Sequence, residues 1–107
     1  MILKSVSEFD QQVRQNWIGK PVSVTKTEPT PQIRFTLEGT RVVGPDEVDP
    51  VIRQRYPDNN ARFLVFFGDG TMHALIVHVD DGTVYDIRDH RLVILSDDEV
   101  VQVSQVH

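Results

Sequence analysis

The chain has 107 residues, 39% of them hydrophobic and 25% charged, no cysteine, and a net charge of −5 at pH 7. A chain of this length fits one domain that buries about two-thirds of the surface its unfolded form exposes, so it needs no disulfide or metal staple. The missing cysteine excludes thiol catalysis, cysteine zinc sites and disulfides.

The charge is unevenly placed. Residues 1–57 carry eight Lys/Arg against seven Asp/Glu, whereas residues 58–107 carry three Arg against nine acids. An acidic second half argues against nucleic acid as a partner, because phosphate binding needs clustered Lys/Arg. The opening MILKSVSEFDQQ has only Ile2 and Leu3 as an apolar pair before polar residues begin. That is too short for a signal-peptide core or a membrane span, and a soluble cytoplasmic protein without membrane contact is expected.

The first element is predicted helical. Leu3, Val6, Phe9, Val13 and Trp17 recur three or four apart and would line one face. Ser5 with Glu8 three residues on has the pattern of a capping box, and Gly19 and Pro21 stop the helix. Val22 and Val24 alternate with polar residues as a strand does, until Glu28-Pro29-Thr30-Pro31 breaks the pattern. Ile33, Phe35 and Leu37 then alternate with Arg34, Thr36 and Glu38, a strand with one wet face. Gly39 weakens that strand, and Arg41 to Val43 continue it past a bulge or form a short strand of their own. A short second helix is expected from Asp49 as N-cap and Pro50 as first residue, ending at Pro57.

Residues 62–95 form the centre of the expected sheet. Apolar runs are joined by two alike turns, GDGT and DDGT. Each fits a three-residue hairpin loop closed by a left-handed Gly. Phe67 then faces Thr71 and Val79 faces Thr83 in an antiparallel meander. One face collects Phe63, Val65, Phe67, Leu75, Val77, Val79, Tyr85 and Ile87 as core. The other collects Leu64, Phe66, Ala74, Ile76, His78, Val84, Asp86 and Arg88. A one-residue slip would exchange these faces. Arg91 to Leu95 add a strand with Leu92 and Ile94 in the core, Ser96 to Glu99 form a turn or a capping box, and VVQVSQV reads as a final strand. The predicted architecture is a single α+β domain over residues 1–107. Its antiparallel sheet has the 62–95 meander at the centre, the N-terminal helix packed on one face, and a short second helix.

Few residues carry chemistry. Phosphate-loop, nucleophile-elbow and zinc-protease patterns are absent, and the acidic turns lack the ligand spacing of a calcium loop. His73 and His78 lie five apart on one strand, hence on opposite faces, so they cannot chelate one ion. No metal or cofactor is expected. The preferred register sets His73 opposite Asp89, the base half of a nucleophile–base–acid arrangement.

The run DGTMHALIVHVDDGTVYDIRD resembles the His-strand-turn-strand-Asp half of papain-like folds. The resemblance implies His73 as base, with the acid at Asp86 or Asp89. The family's cysteine has no counterpart, and Ser5 or Ser7 is the local substitute. Two functions are therefore expected in turn. The first is a small acidic module that binds another protein through a sheet edge or through the partly apolar second face at Leu64, Phe66, Ile76 and His78. An exposed edge would also make a homodimer easy. The alternative is a degenerate or hydroxyl-using papain-like hydrolase.

Overall fold

A computed structural model of the protein describes residues 2–26, 32–71, 73–97 and 99–106. The chain runs β1 (Ile2–Leu3), α1 (Val6–Asn16), β2 (Pro21–Lys26), β3 (Gln32–Val43), α2 (Pro50–Arg55), β4 (Arg62–Gly68), β5 (His73–Val79), β6 (Val84–Arg88), β7 (Arg91–Leu95) and β8 (Val100–Gln105). All the strands belong to one antiparallel sheet in the order β1-β6-β7-β8-β2-β3-β4-β5. The fold is α+β, with the N-terminal helix packed on the sheet as expected.

Local chemistry sets the helix ends. Ser5 is the N-cap of α1 but its side chain makes no capping bond, so the expected capping box does not form. Gly19, at φ 83°, turns the chain away from the helix, and the Gly19 N–H donates to the Leu37 carbonyl at 2.6 Å. Leu3 belongs to β1 rather than to the helix, yet it buries into the same core. α2 begins as its sequence predicts: the Asp49 carboxylate accepts from the Val51 N–H at 2.9 Å, with Pro50 as first residue. The prolines at 29 and 31, expected to break the strand, lie outside the described residues.

β3 bends the sheet. Its first half pairs with β2 and its second half with β4, and the register shifts between Leu37 and Gly39. That irregularity is the bulge that Gly39 suggested. The Phe67 ring lies over Gly39 where a Cβ would stand, so the bend is sealed by an aromatic ring on a residue with no side chain. Beyond the bend the sheet rolls around α1. Phe9 stacks on Tyr85 of β6 at 4.5 Å and meets Phe66 of β4 edge-on at 6.2 Å. Buried Thr40 of β3 donates its hydroxyl to Asp10, and Arg14 donates to the Thr40 carbonyl at 2.6 Å. α1 is thus fixed to both halves of the roll.

The meander is where the structure departs from expectation. Among the described residues β5 pairs only with β4, and β6 pairs with β1 and β7, so β5 and β6 lie far apart in the sheet order. The DDGT segment is a corner rather than a hairpin. Asp80 holds it, accepting from the Gly82 N–H at 2.8 Å, while the Asp80 N–H donates to the Thr83 hydroxyl at 2.8 Å. The first hairpin forms, but Gly68 faces His73, giving a four-residue loop in which Asp69 and Gly70 both take positive φ.

This three-residue difference exchanges the faces of β4. Leu64 and Phe66 join Leu75 and Val77 in the main core beneath α1, together with Val22, Val24, Leu92, Ile94 and Val103. Phe63 and Val65 form a second, smaller core with Val43 and Ala61, covered by Val48, Ile52 and Tyr56. Both faces of β4 are therefore buried.

Trp17 closes the main core and is 1% exposed. Truncating it to Ala should cost about 3–5 kcal/mol, the usual range for a large aromatic lost from a core. Urea unfolding of the two proteins measures it, and a loss under about 1 kcal/mol would contradict the burial of the ring.

Candidate functional site

The strand pairing does not assemble the hydrolase constellation. His73 opens β5 and pairs with Gly68, while Asp89 stands exposed in the turn between β6 and β7 with φ 38°. No ladder joins the two strands, so the pairing expected between His73 and Asp89 does not form. The side chain of His73 lies outside the described residues. Asp86 faces away from the core, opposite Ile2 and Val93, and accepts from Arg88 Nε at 3.0 Å. Among the described residues no group of three or more His, Asp or Glu is placed to hold a metal ion.

The expected binding face is divided between two cores. Leu64 and Phe66 are fully buried under α1 and cannot meet a partner in the folded protein. This corrects the sequence expectation, and the cause is the shifted register of the first hairpin. Ile76 and His78 are on the opposite face, over the smaller core. The His78 ring stacks on Tyr56 at 4.1 Å, with planes 13° apart, and Phe63 lies 5.6 Å away. α2 and the segment after it thus cover what would have been an open surface.

The edge of β5 is guarded. β5 lies across the end of the other half of the sheet, with its outer edge toward Lys26, the last residue of β2, and Glu99, just before β8. Lys26 Nζ donates to the Ile76 carbonyl at 2.9 Å, and the His78 N–H donates to the Glu99 carboxylate at 3.1 Å. Lys26 and Glu99 are themselves 3.6 Å apart, with side chains 20% and 10% exposed. In a parallel ladder one residue of a neighbouring strand would give its N–H to the first of these groups and its C=O to the second. The ammonium and carboxylate take those two roles, so the ion pair stands in for a strand. Charged side chains of this kind block edge pairing. Glu99 is held for this by the Ser96 turn, in which the Ser96 N–H and hydroxyl both donate to the Glu99 carbonyl at 3.0 and 3.1 Å.

A cleft of about 810 Å³ opens beside the start of α1, lined among others by Lys4, Ser5, Arg62, Asp80, Asp81 and Tyr85. Two of its acids serve the turns that frame it: Asp80 holds the corner before β6, and Asp58 accepts from the Asn60 N–H at 2.9 Å. Burial and then the nearby Asp80 charge push the Tyr85 phenol up to about 12, so it stays protonated at neutral pH.

Among the described residues no element covers the outer face of β1-β6-β7-β8-β2. Alternation along β7 sends Leu92 and Ile94 inward, and Arg91, Val93 and Leu95 outward. Cross-strand partners Val84, Leu95 and Val100 form one outward row. Ile2 and Val93, on either side of Asp86, extend it. Ile2 is 63% and Leu95 41% exposed. The same alternation was legible in RLVIL, but the sequence did not show that nothing would lie over it. Comparisons of the chain with protein-family models, with curated proteins and with solved structures found no match.

Replacing Glu99 by Ala leaves the His78 N–H without its acceptor and takes the counter-charge from the Lys26 ammonium, which keeps its bond to the Ile76 carbonyl. A stability loss of about 2 kcal/mol is expected, the usual cost of stranding a buried polar group. Amide exchange should become faster at His78 before it does at Val77, and unchanged exchange at His78 would exclude the strand-substitute role.

Tyr85 gives a pH dependence of definite sign. Its ordinary value is 10.0 and its folded value about 12, so between these the unfolded chain holds fewer protons. Stability should be unaffected by this group below pH 10 and should fall as pH rises toward 12. A spectroscopic tyrosine titration should show one phenol ionising late, with Asp80→Asn lowering its value only partly. Ionisation of both tyrosines near 10 would contradict the burial.

Proposed function

We propose that the protein is a small, acidic, non-catalytic module of the cytoplasm that binds another protein through the outer face of β1-β6-β7-β8-β2. The observation that carries this is the adjoining set Ile2, Val84, Val93, Leu95 and Val100 on the sheet face that no element covers among the described residues. Antiparallel sheets tolerate one wet face when its outward residues are polar. A contiguous apolar set there, rimmed by charge, is the mark of a contact surface. The other two routes to a partner are less suited: the Lys26–Glu99 pair occupies the β5 edge, and the faces of β4 are buried. The hydrolase alternative loses the strand pairing that brought His73 to Asp89.

The test is site-specific photocrosslinking in the cells that make the protein, with the reactive group at position 95 or, as control, at the exposed Val51 of α2. A discrete crosslinked protein is expected from position 95 and not from 51. The same pattern from both positions, or from 51 alone, would remove this face as the binding surface.

A further inference from the structure

The outer face is charged opposite to the rest of the molecule. Below the apolar rows, Arg88, Arg91, Ser104, Ser23 and Arg34 follow one another as cross-strand partners over five strands. All three arginines are exposed. The outward acids nearby are each engaged or set to the side: Asp86 is bonded to Arg88, Glu38 further along β3 accepts from the Gly70 N–H, and Asp89 lies in the turn between Arg88 and Arg91. A protein with net charge −5 therefore presents a row of arginines on a sheet face that no described element covers. Neighbouring strands are about 4.8 Å apart, so Arg91 and Arg34 stand roughly 14 Å from each other. The row of Val84, Leu95 and Val100 lies four residues further along the strands, about 13 Å away.

Building on the binding role proposed above, we infer that the partner presents an acidic protein segment, its carboxylates seated on Arg88, Arg91 and Arg34 and its apolar side chains on the patch around Leu95. Arginine suits this because its planar fork binds a carboxylate through two parallel hydrogen bonds. Field complementarity also steers an acidic segment to this face and repels it from the rest of the molecule. A nucleic-acid strand fits less well. No aromatic side chain points outward from these strands among the described residues to stack a base, and the apolar rows would face phosphates. The spacing specifies the segment further: in an extended peptide the acidic and apolar groups are about four residues apart, and in a helix about nine.

The probes are a fluorescent peptide carrying three leucines and, four residues on, three glutamates; the same peptide with lysines for the glutamates; and a single-stranded oligonucleotide. The glutamate peptide should bind, and more weakly as salt rises. The double variant Arg34→Glu, Arg91→Glu should weaken it at least about tenfold, as charge reversal at an interface does, and should now bind the lysine peptide. Leu95→Glu should weaken the glutamate peptide. Circular dichroism checks that each variant folds, which exposed positions should permit. If the glutamate peptide fails to bind, or the oligonucleotide binds more tightly, the acidic partner is wrong. The binding face itself stands or falls separately on the crosslink at position 95. Binding lost in Leu95→Glu but unchanged by the arginine reversal also overturns the acidic partner and leaves the face. Binding indifferent to both variants, with no crosslink from position 95, overturns both.

Discussion

The ring of Phe9 is packed between Tyr85 of β6 and Phe66 of β4, and the shape of the molecule depends on that contact. β6 and β4 are far apart in the order of the sheet, so one ring can touch both only if the sheet has rolled around the helix that carries it. A short amphipathic helix is marginal alone and gains its stability from the apolar stripe it buries. Here the stripe of Phe9, Val13 and Trp17 is surrounded by strands rather than laid on a flat sheet. The sheet gains as well, because a helix inside the roll fills volume that strand side chains alone would leave open.

The roll needs a hinge, and β3 supplies it. A strand of twelve residues is long enough to serve two partners, one on each side of the bulge at Gly39. Phe67 covers that glycine, and a side chain at position 39 would have to displace the ring or straighten the strand. Bending β3 carries β4 over α1 and turns its other face outward, where α2 covers it with Ile52 while Tyr56 closes over His78. The second core is thus a consequence of the first. Once the sheet has curled, its outer apolar face at Phe63 and Val65 needs a cover of its own.

Much of this was legible in the sequence because it rests on local signals. The period of Phe9, Val13 and Trp17, the cap at Asp49 with Pro50, the alternation of β2, β3 and β7, and the bulge at Gly39 all appear where the residues indicate. What was not legible is which strands pair. GDGT and DDGT look alike, but the first makes a four-residue loop because Asp69 joins Gly70 in left-handed conformation. The second makes a corner because Asp80 closes on Gly82 and Thr83. The loop length of the first decides the face of every residue in β4, since an odd shift exchanges the sides. The candidate binding residues Leu64 and Phe66 moved into the core for this reason alone. The pairing of His73 with Asp89 was lost for a different one. It required β5 and β6 to be neighbours, and that is settled by long-range burial of α1, which no turn sequence encodes.

The treatment of exposed backbone explains why the proposed recognition would fall to side chains. An open strand edge recruits any extended chain, because N–H and C=O groups carry no sequence information. At β5 the Lys26–Glu99 pair takes up two of those groups, and at the opposite margin β1 is only two residues long. The remaining open surface is a sheet face, whose backbone is already paired and whose outward residues alone can discriminate. On that face apolar contact alone would be promiscuous. A row of arginines about 13 Å from the row of Val84, Leu95 and Val100 would add a distance that the proposed partner must match. Edge protection and the proposed face recognition are then two sides of one constraint: a rolled sheet that ends in free strands must close its margins before it can use its surface selectively.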